Sequence, residues 1–140
     1  MSTLFTKIID GEIPGRFVWR DDEVVGFLTI NPIMPGHTLV VPVAEVDHWL
    51  DLDPALARRC MEVAQVIGQA QMTAFSPTRV GLIIAGLEVP HTHLHIIPID
   101  SEADLSFSKA DPSPEPAALD DAAERLRQAL RAMGRAEVPS

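Results

Sequence analysis

Three of the chain's five histidines fall at positions 91, 93 and 95, within the segment Pro-His-Thr-His-Leu-His-Ile-Ile-Pro. Alternate side chains of a β-strand leave the same face, so this spacing predicts a row of imidazoles, with Thr92, Leu94 and Ile96 turned toward the core. Three chemistries compete for such a row: a set of hydrogen-bonded structural histidines, a shared metal ion, and covalent catalysis. In an extended strand the Cα atoms of His91 and His95 lie roughly 13 Å apart at about 3.3 Å per residue. Zn–N bonds of about 2.0–2.1 Å make it hard for all three rings to meet at one ion. No HExxH motif or cysteine pair supplies further ligands, so no metal and no other cofactor is expected. Covalent catalysis uses all three rings. A neutral imidazole is a good nucleophile near pH 7. If His93 donates its Nδ1–H to a backbone carbonyl, its Nε2 is free to attack phosphorus, and the rings on either side can donate to phosphate oxygens or to the departing group.

The elements that must hold this row are legible in the pattern of apolar residues. Residues 3–10 read as a short helix, with Leu4, Phe5, Ile8 and Ile9 on one side and Gly11 past its end. Residues 17–20 and 24–28 read as a hairpin around Asp21-Asp22-Glu23. From His37 the run HTLVVPV is β-rich, with Pro42 ending the strand or placing it at an edge. Asp53-Pro54 opens a helix with a capping carboxylate and a proline at its first position. Leu56, Cys60, Val63, Ile67, Ala70 and Ala74 then recur at spacings of three and four, the buried stripe of one long helix that ends near Ser76-Pro77. Residues 79–85 and 91–97 read as two further strands, and residues 111–116, with three prolines, as a loop. Leu119, Ala123, Leu126, Leu130 and Met133 mark a C-terminal helix closed by Gly134. This order of elements predicts an α+β domain with an antiparallel sheet.

The 140 residues match one domain, and 46% hydrophobic with 22% charged residues is ordinary globular composition. Eleven Lys and Arg against twenty Asp and Glu give a formal net charge of −9. Such a chain repels a phosphate backbone, which excludes long nucleic acids as partners but not a single nucleotide held by backbone N–H groups and neutral histidines. The single Cys60 falls in the helical stripe and reads as a core residue. The N-terminal residues lack the apolar stretch of a signal peptide, and no apolar run is long enough to span a bilayer. A cytoplasmic protein is expected.

His91-Thr92-His93-Leu94-His95-Ile96-Ile97 resembles the signature of the histidine triad (HIT) family, His-φ-His-φ-His-φ-φ with φ apolar. KIIDGEIPGR, DDEVVGFLTINP, PGHTLVVP and AGLEVPH follow in the family's order, so the resemblance spans roughly residues 3–99. It implies a five-stranded antiparallel sheet with helices, which joins the long central helix and the C-terminal helix read above from periodicity. Residues 1–100 would form the catalytic domain, with a loop and helix over 101–140 packed on it. It also implies a homodimer and nucleotidyl transfer without a required metal, on nucleoside phosphoramidates, acyl- or sulfo-adenylates, or dinucleoside polyphosphates. By this resemblance His93 is the nucleophile on the α-phosphorus, His91 and His95 contact the phosphate and leaving group, and His37 supports them. His48 matches no catalytic position and reads as a surface or helix-end residue.

The chain departs from the family at several places. An acidic or amide residue commonly holds the ribose eight positions before the His of PGH, and here that position is Thr29. Its hydroxyl carries no charge and bonds only once or twice. The nucleotide-binding residues implied are Thr29, Ile30 and Asn31 on one side and Leu87, Glu88 and Val89 on the other. Leu87 stands where many members have Gln, and the turn before the triad is short. Thr3 and Thr6 stand where some bacterial members carry zinc-binding cysteines. These lost polar contacts favour the alternative of a nucleotide-binding or regulatory protein with little turnover.

Overall fold

The computed structural model describes residues 2–139. Helix α1 (Leu4–Ile9) is capped by Thr3, whose hydroxyl accepts the Thr6 N–H. Strands β1 (Phe17–Arg20), β2 (Val24–Leu28) and β3 (Thr38–Pro42) follow. Helix α2 (Pro54–Phe75) starts on Asp53, which accepts the Ala55 N–H, and stops at Ser76 in the left-handed conformation. Strands β4 (Arg79–Ile83) and β5 (Leu94–Ile99) precede helix α3 (Pro116–Ala132). The last proline of the 111–116 loop becomes the first residue of α3, where a missing N–H costs nothing.

The five strands form one sheet in the order β1-β2-β3-β5-β4, and every neighbouring pair is antiparallel. Period-two alternation divides β5 between two cores. Leu94 and Ile96 face α2 and α3, packing with Cys60, Val63, Ile67, Leu126 and Leu130. Each fully buried side chain of this kind contributes about 1.5–3 kcal/mol relative to leaving it exposed. Gly26 in β2 lets α2 approach, since a Cβ there would meet Ile67 Cδ1 at 2.8 Å. On the opposite face, Phe27, Leu39 and Val41 are covered by Phe5 of α1, and Ile97 and Ile99 by Ile33, Leu105 and Ala110. His95 pairs with Leu39 and, by the same alternation, lies on this second face.

The sheet's two edges differ. The β1 edge is covered by the C-terminal region: Arg20 N–H donates to the Glu137 carbonyl at 2.9 Å and Arg127 Nε donates to the Phe17 carbonyl at 2.8 Å. The β4 edge is open among the described residues.

The region before β5 corrects the sequence expectation. The strand begins at Leu94, not His91, and β4 ends at Ile83. Thr92 explains the first difference: its N–H and its hydroxyl both donate to the Val46 carbonyl, at 2.7 and 2.8 Å. Residues 91–93 are therefore tied to the loop after β3 and not to the strand ladder, and the three imidazoles do not form one row.

Candidate active site

His93 is 6% exposed and held by one decisive bond, Nδ1 to its neighbour's backbone carbonyl, His91 O, at 2.7 Å. A carbonyl only accepts, so the proton sits on Nδ1 and the Nε2 lone pair is free. The ring lies edge-to-face on Phe5 at 4.9 Å and on His95 at 5.0 Å. Burial holds its pKa below the ordinary value of 6.5, with the bond to His91 O acting in the opposite direction. At neutral pH the ring is an uncharged base.

A separate chain of bonds fixes the proton of His95. The Ile33 N–H donates to His37 Nδ1 at 3.1 Å, so that nitrogen carries no hydrogen. His37 Nε2–H therefore donates to His95 Nδ1, 2.9 Å away, which leaves the His95 proton on Nε2. Burial, reinforced by the charge of His95, lowers the His37 pKa to about 3. Burial and then His93 lower that of His95 to about 4. Both rings are neutral at pH 7, as this bond pattern requires. The two central histidines thus present opposite groups, a lone pair on His93 and an N–H on His95.

His37 owes its place to Gly36, whose φ of +89° and whose contact with Phe75 (a Cβ would lie 2.3 Å from Phe75 Cε2) exclude other residues. Gln71 of α2 braces the same point. Its fully buried amide donates to the Gly36 and Ile96 carbonyls, both at 2.9 Å, beside His37 and His95 respectively. Sequence reasoning passed over Gln71. The available signal was a polar residue within the helix's apolar stripe, four positions after Ile67 and one after Ala70.

His91 does not reach the place expected of it. It is fully buried, and both ring nitrogens are engaged. Nε2–H donates to the Pro42 carbonyl at 2.7 Å, so Nδ1 accepts the Thr3 hydroxyl at 2.7 Å. Because residues 91–93 leave the ladder, its ring turns beneath α1 beside Phe5. It supplies the carbonyl that orients His93, and no ring atom is left to contact a phosphate. Thr3 serves here as a hydrogen-bond donor to a histidine.

His93 and His95 open into a cleft of about 540 Å³ that also includes His37, Thr29, Asn31, Leu87 and Glu88. The Thr29 hydroxyl accepts the Asn31 N–H at 3.2 Å, while the Asn31 amide donates to the Asp111 carbonyl at 2.9 Å. Besides His91, two residues expected in the site do not line this cleft. Ile30 is 69% exposed, and Val89 packs with the Phe5 cluster. Phe107, Ala110 and Pro112 complete the wall from a stretch without periodic pattern. His48 caps the short turn Trp49–Asp51 and borders a smaller cavity of about 260 Å³ that also touches His93. Among the described residues, no group of three or more His, Cys, Asp or Glu is placed to hold a metal ion. Among the same described residues, no helix is long and apolar enough to cross a membrane.

The HIT domain matches residues 10–102. An uncharacterized HIT-like protein of Borreliella burgdorferi is 39% identical over 102 residues, covering 68% of this chain and 73% of that protein. A bis(5'-nucleosyl)-tetraphosphatase [asymmetrical] of Schizosaccharomyces pombe is 36% identical over 108 residues, 69% of this chain and 58% of the yeast protein. The crystal structure of a zinc-bound histidine triad family protein from Mycobacterium smegmatis superposes with a TM-score of 0.83 at 27% identity, covering 96% of each chain. Some relatives are thus named as nucleotide hydrolases, while others are uncharacterized. With the triad segment, the five-stranded antiparallel sheet and the matched domain all in agreement, this chain belongs to the histidine triad (HIT) family.

Proposed function

We propose that the chain is a nucleotide-phosphate hydrolase or transferase that works through a covalent nucleotidyl-His93 intermediate. Its substrates would be nucleoside phosphoramidates, adenylates or dinucleoside polyphosphates. The observation that carries this reading is the pair of opposite tautomers, each fixed by its own backbone anchor: the His91 carbonyl for His93, and the Ile33 N–H through His37 for His95. His93 Nε2 forms the bond to phosphorus as the bond to the leaving group breaks, and the electron pair stays on the leaving atom. His95 Nε2–H stabilises the charge that develops there or on a phosphate oxygen. The imidazolium formed on His93 keeps its Nδ1–H on the His91 carbonyl, which stabilises it. Water then attacks phosphorus and gives up a proton to solvent, the P–N bond breaks, and His93 regains its lone pair.

Thr29, at the cleft wall, is the residue proposed to meet the ribose, and a relative named as a tetraphosphatase supports the nucleotide class. A homodimer accompanies the reading. The open β4 edge and the groove between α2 and β4, with Met61, Met72 and Leu82 exposed, offer a second copy a place to pair. One observation favours the alternative of nucleotide binding with little turnover: Leu87, 94% exposed at the turn, offers no polar side-chain contact. Turnover of a fluorogenic adenosine phosphoramidate by wild type and by His93→Ala separates the two. The hydrolase reading expects turnover that the substitution abolishes. Tight adenosine monophosphate binding without turnover would favour the alternative.

A further inference from the structure

Gln71 is the anomaly of the interior. It is fully buried on the face of α2 that carries Ile67 and Ala70, where an apolar side chain is expected. Its amide nitrogen has two hydrogens, and each is used: one donates to the Gly36 carbonyl and one to the Ile96 carbonyl. The amide oxygen has no such use. Among the described residues, Gln71 Oε1 is the buried side-chain polar atom without a hydrogen-bond partner. An unpaired buried oxygen opposes folding, and a leucine or methionine would avoid it.

The two carbonyls show what the amide is for. β3 pairs with β5 over Thr38–Val40 and Leu94–Ile96, and the ladder ends where Thr38 stands opposite Ile96. His37 lies one residue beyond that end, yet its ring must still meet the His95 ring at 2.9 Å. Two carbonyls are both acceptors and cannot bond to each other. One NH2 group between them joins the residue before His37 to the residue after His95. The Gly36 carbonyl also accepts the Thr38 hydroxyl at 2.8 Å, but that bond stays within one segment and does not cross to β5. Phe75, one turn further along α2, packs on the same Gly36.

We infer that Gln71 is a positioning residue, which from the opposite face of the sheet holds His37 and His95 at the separation that keeps the His95 proton on Nε2. It acts through two backbone carbonyls and touches no reacting atom. Its effect on turnover rests on the proposed part of His95 in the reaction; its effect on the His95 proton does not. Gln71 thus opposes stability and serves the site, so replacing it moves the two in different directions.

The test uses Gln71→Met and Gln71→Leu, two apolar side chains of similar volume that lack a donor. Two-bond proton–nitrogen NMR spectra of the imidazoles report the His95 tautomer at neutral pH with no substrate present. Wild type should show the proton on Nε2 alone, and both variants a mixture with the Nδ1-protonated form. For an adenosine phosphoramidate, kcat should fall by about two- to ten-fold, the bias of one hydrogen bond, with KM within about two-fold. The melting temperature should stay at or above that of wild type, since the unpaired oxygen is gone. In His37→Leu, which lacks the pair, adding Gln71→Met should change kcat by less than about two-fold. An unchanged His95 tautomer in both variants would overturn the inference. So would a lowered melting temperature with unchanged kcat, the result of a purely structural residue. An altered tautomer with unchanged turnover would uphold Gln71 as the positioning residue and refute the part proposed for His95 in the reaction.

Discussion

Replacing His37 by Leu tests the relay that sets the His95 proton. Two interactions are lost. The Ile33 N–H, which donates to His37 Nδ1, is left buried without a partner, at a cost of about 1–3 kcal/mol. The bond from His37 to His95 contributes a further 0.5–1.5 kcal/mol or so. Together these predict a destabilisation of about 1.5–4.5 kcal/mol, read from urea unfolding. The same lost bond frees the His95 proton to move to Nδ1. A bias of about 0.5–1.5 kcal/mol corresponds to roughly two- to twelve-fold, so kcat/KM should fall by up to about ten-fold. His37→Gln should lose less of both, because its amide can accept from Ile33 and donate to His95. The pH dependence has a definite sign. His37 titrates at about 3 in the fold but near 6.5 when unfolded, so between these values the unfolded chain binds more protons. Stability is therefore lost as pH falls from about 6.5 toward about 3. Since Gln does not titrate, the deficit of His37→Gln at about pH 7.5 should shrink at about pH 5. If His37→Leu keeps wild-type stability and kcat/KM, or if the deficit of His37→Gln is the same at both pH values, the relay is wrong.

Three further outcomes can be stated. Thr3→Val leaves His91 Nδ1 a buried acceptor without a donor and removes the cap on the Thr6 N–H, and should lower stability by about 1–3 kcal/mol in urea unfolding; a change within about 0.5 kcal/mol would refute the Thr3–His91 bond. Thr29→Asp should tighten nucleoside monophosphate binding by about ten-fold in calorimetry, since a charged hydrogen bond contributes about 1.5–3 kcal/mol. That gain should vanish for the 2′,3′-dideoxy analogue, and equal affinity of both proteins for the ribonucleotide would mean that the ribose is held elsewhere. Sedimentation at micromolar concentration should give twice 15.3 kDa, and a monomer throughout would leave the β4 edge unpaired.

Most of the fold was legible because its signals are local. The stripe on α2, its Asp53-Pro54 start, and the Phe17–Arg20 and Val24–Leu28 strands depend on periodicity and capping within a few residues. The site was legible as far as its residue types went, since three alternating histidines have few uses. What escaped depends on contacts between distant residues. The bonds from Thr92 to Val46, 46 residues away, decide where β5 begins, and the bond from Thr3 to His91 spans 88 positions. A strand rule applied to residues 91–95 therefore put His91 in one row with His93 and His95, when its ring lies beneath α1. Phe107 escaped for a related reason: short 3₁₀ turns tied down by Asp104 and Asn31 leave no apolar period to read.

The central claim is a covalent bond between His93 Nε2 and phosphorus, and the direct measurement is mass spectrometry of a rapidly quenched reaction. An adenosine phosphoramidate would be mixed with protein, stopped within the first turnover and digested without acid exposure, which would cleave the P–N bond. One nucleotidyl group should then be found on the peptide carrying His93, and none in His93→Ala. An adduct on His95, or full turnover with no adduct on any histidine, would contradict the account.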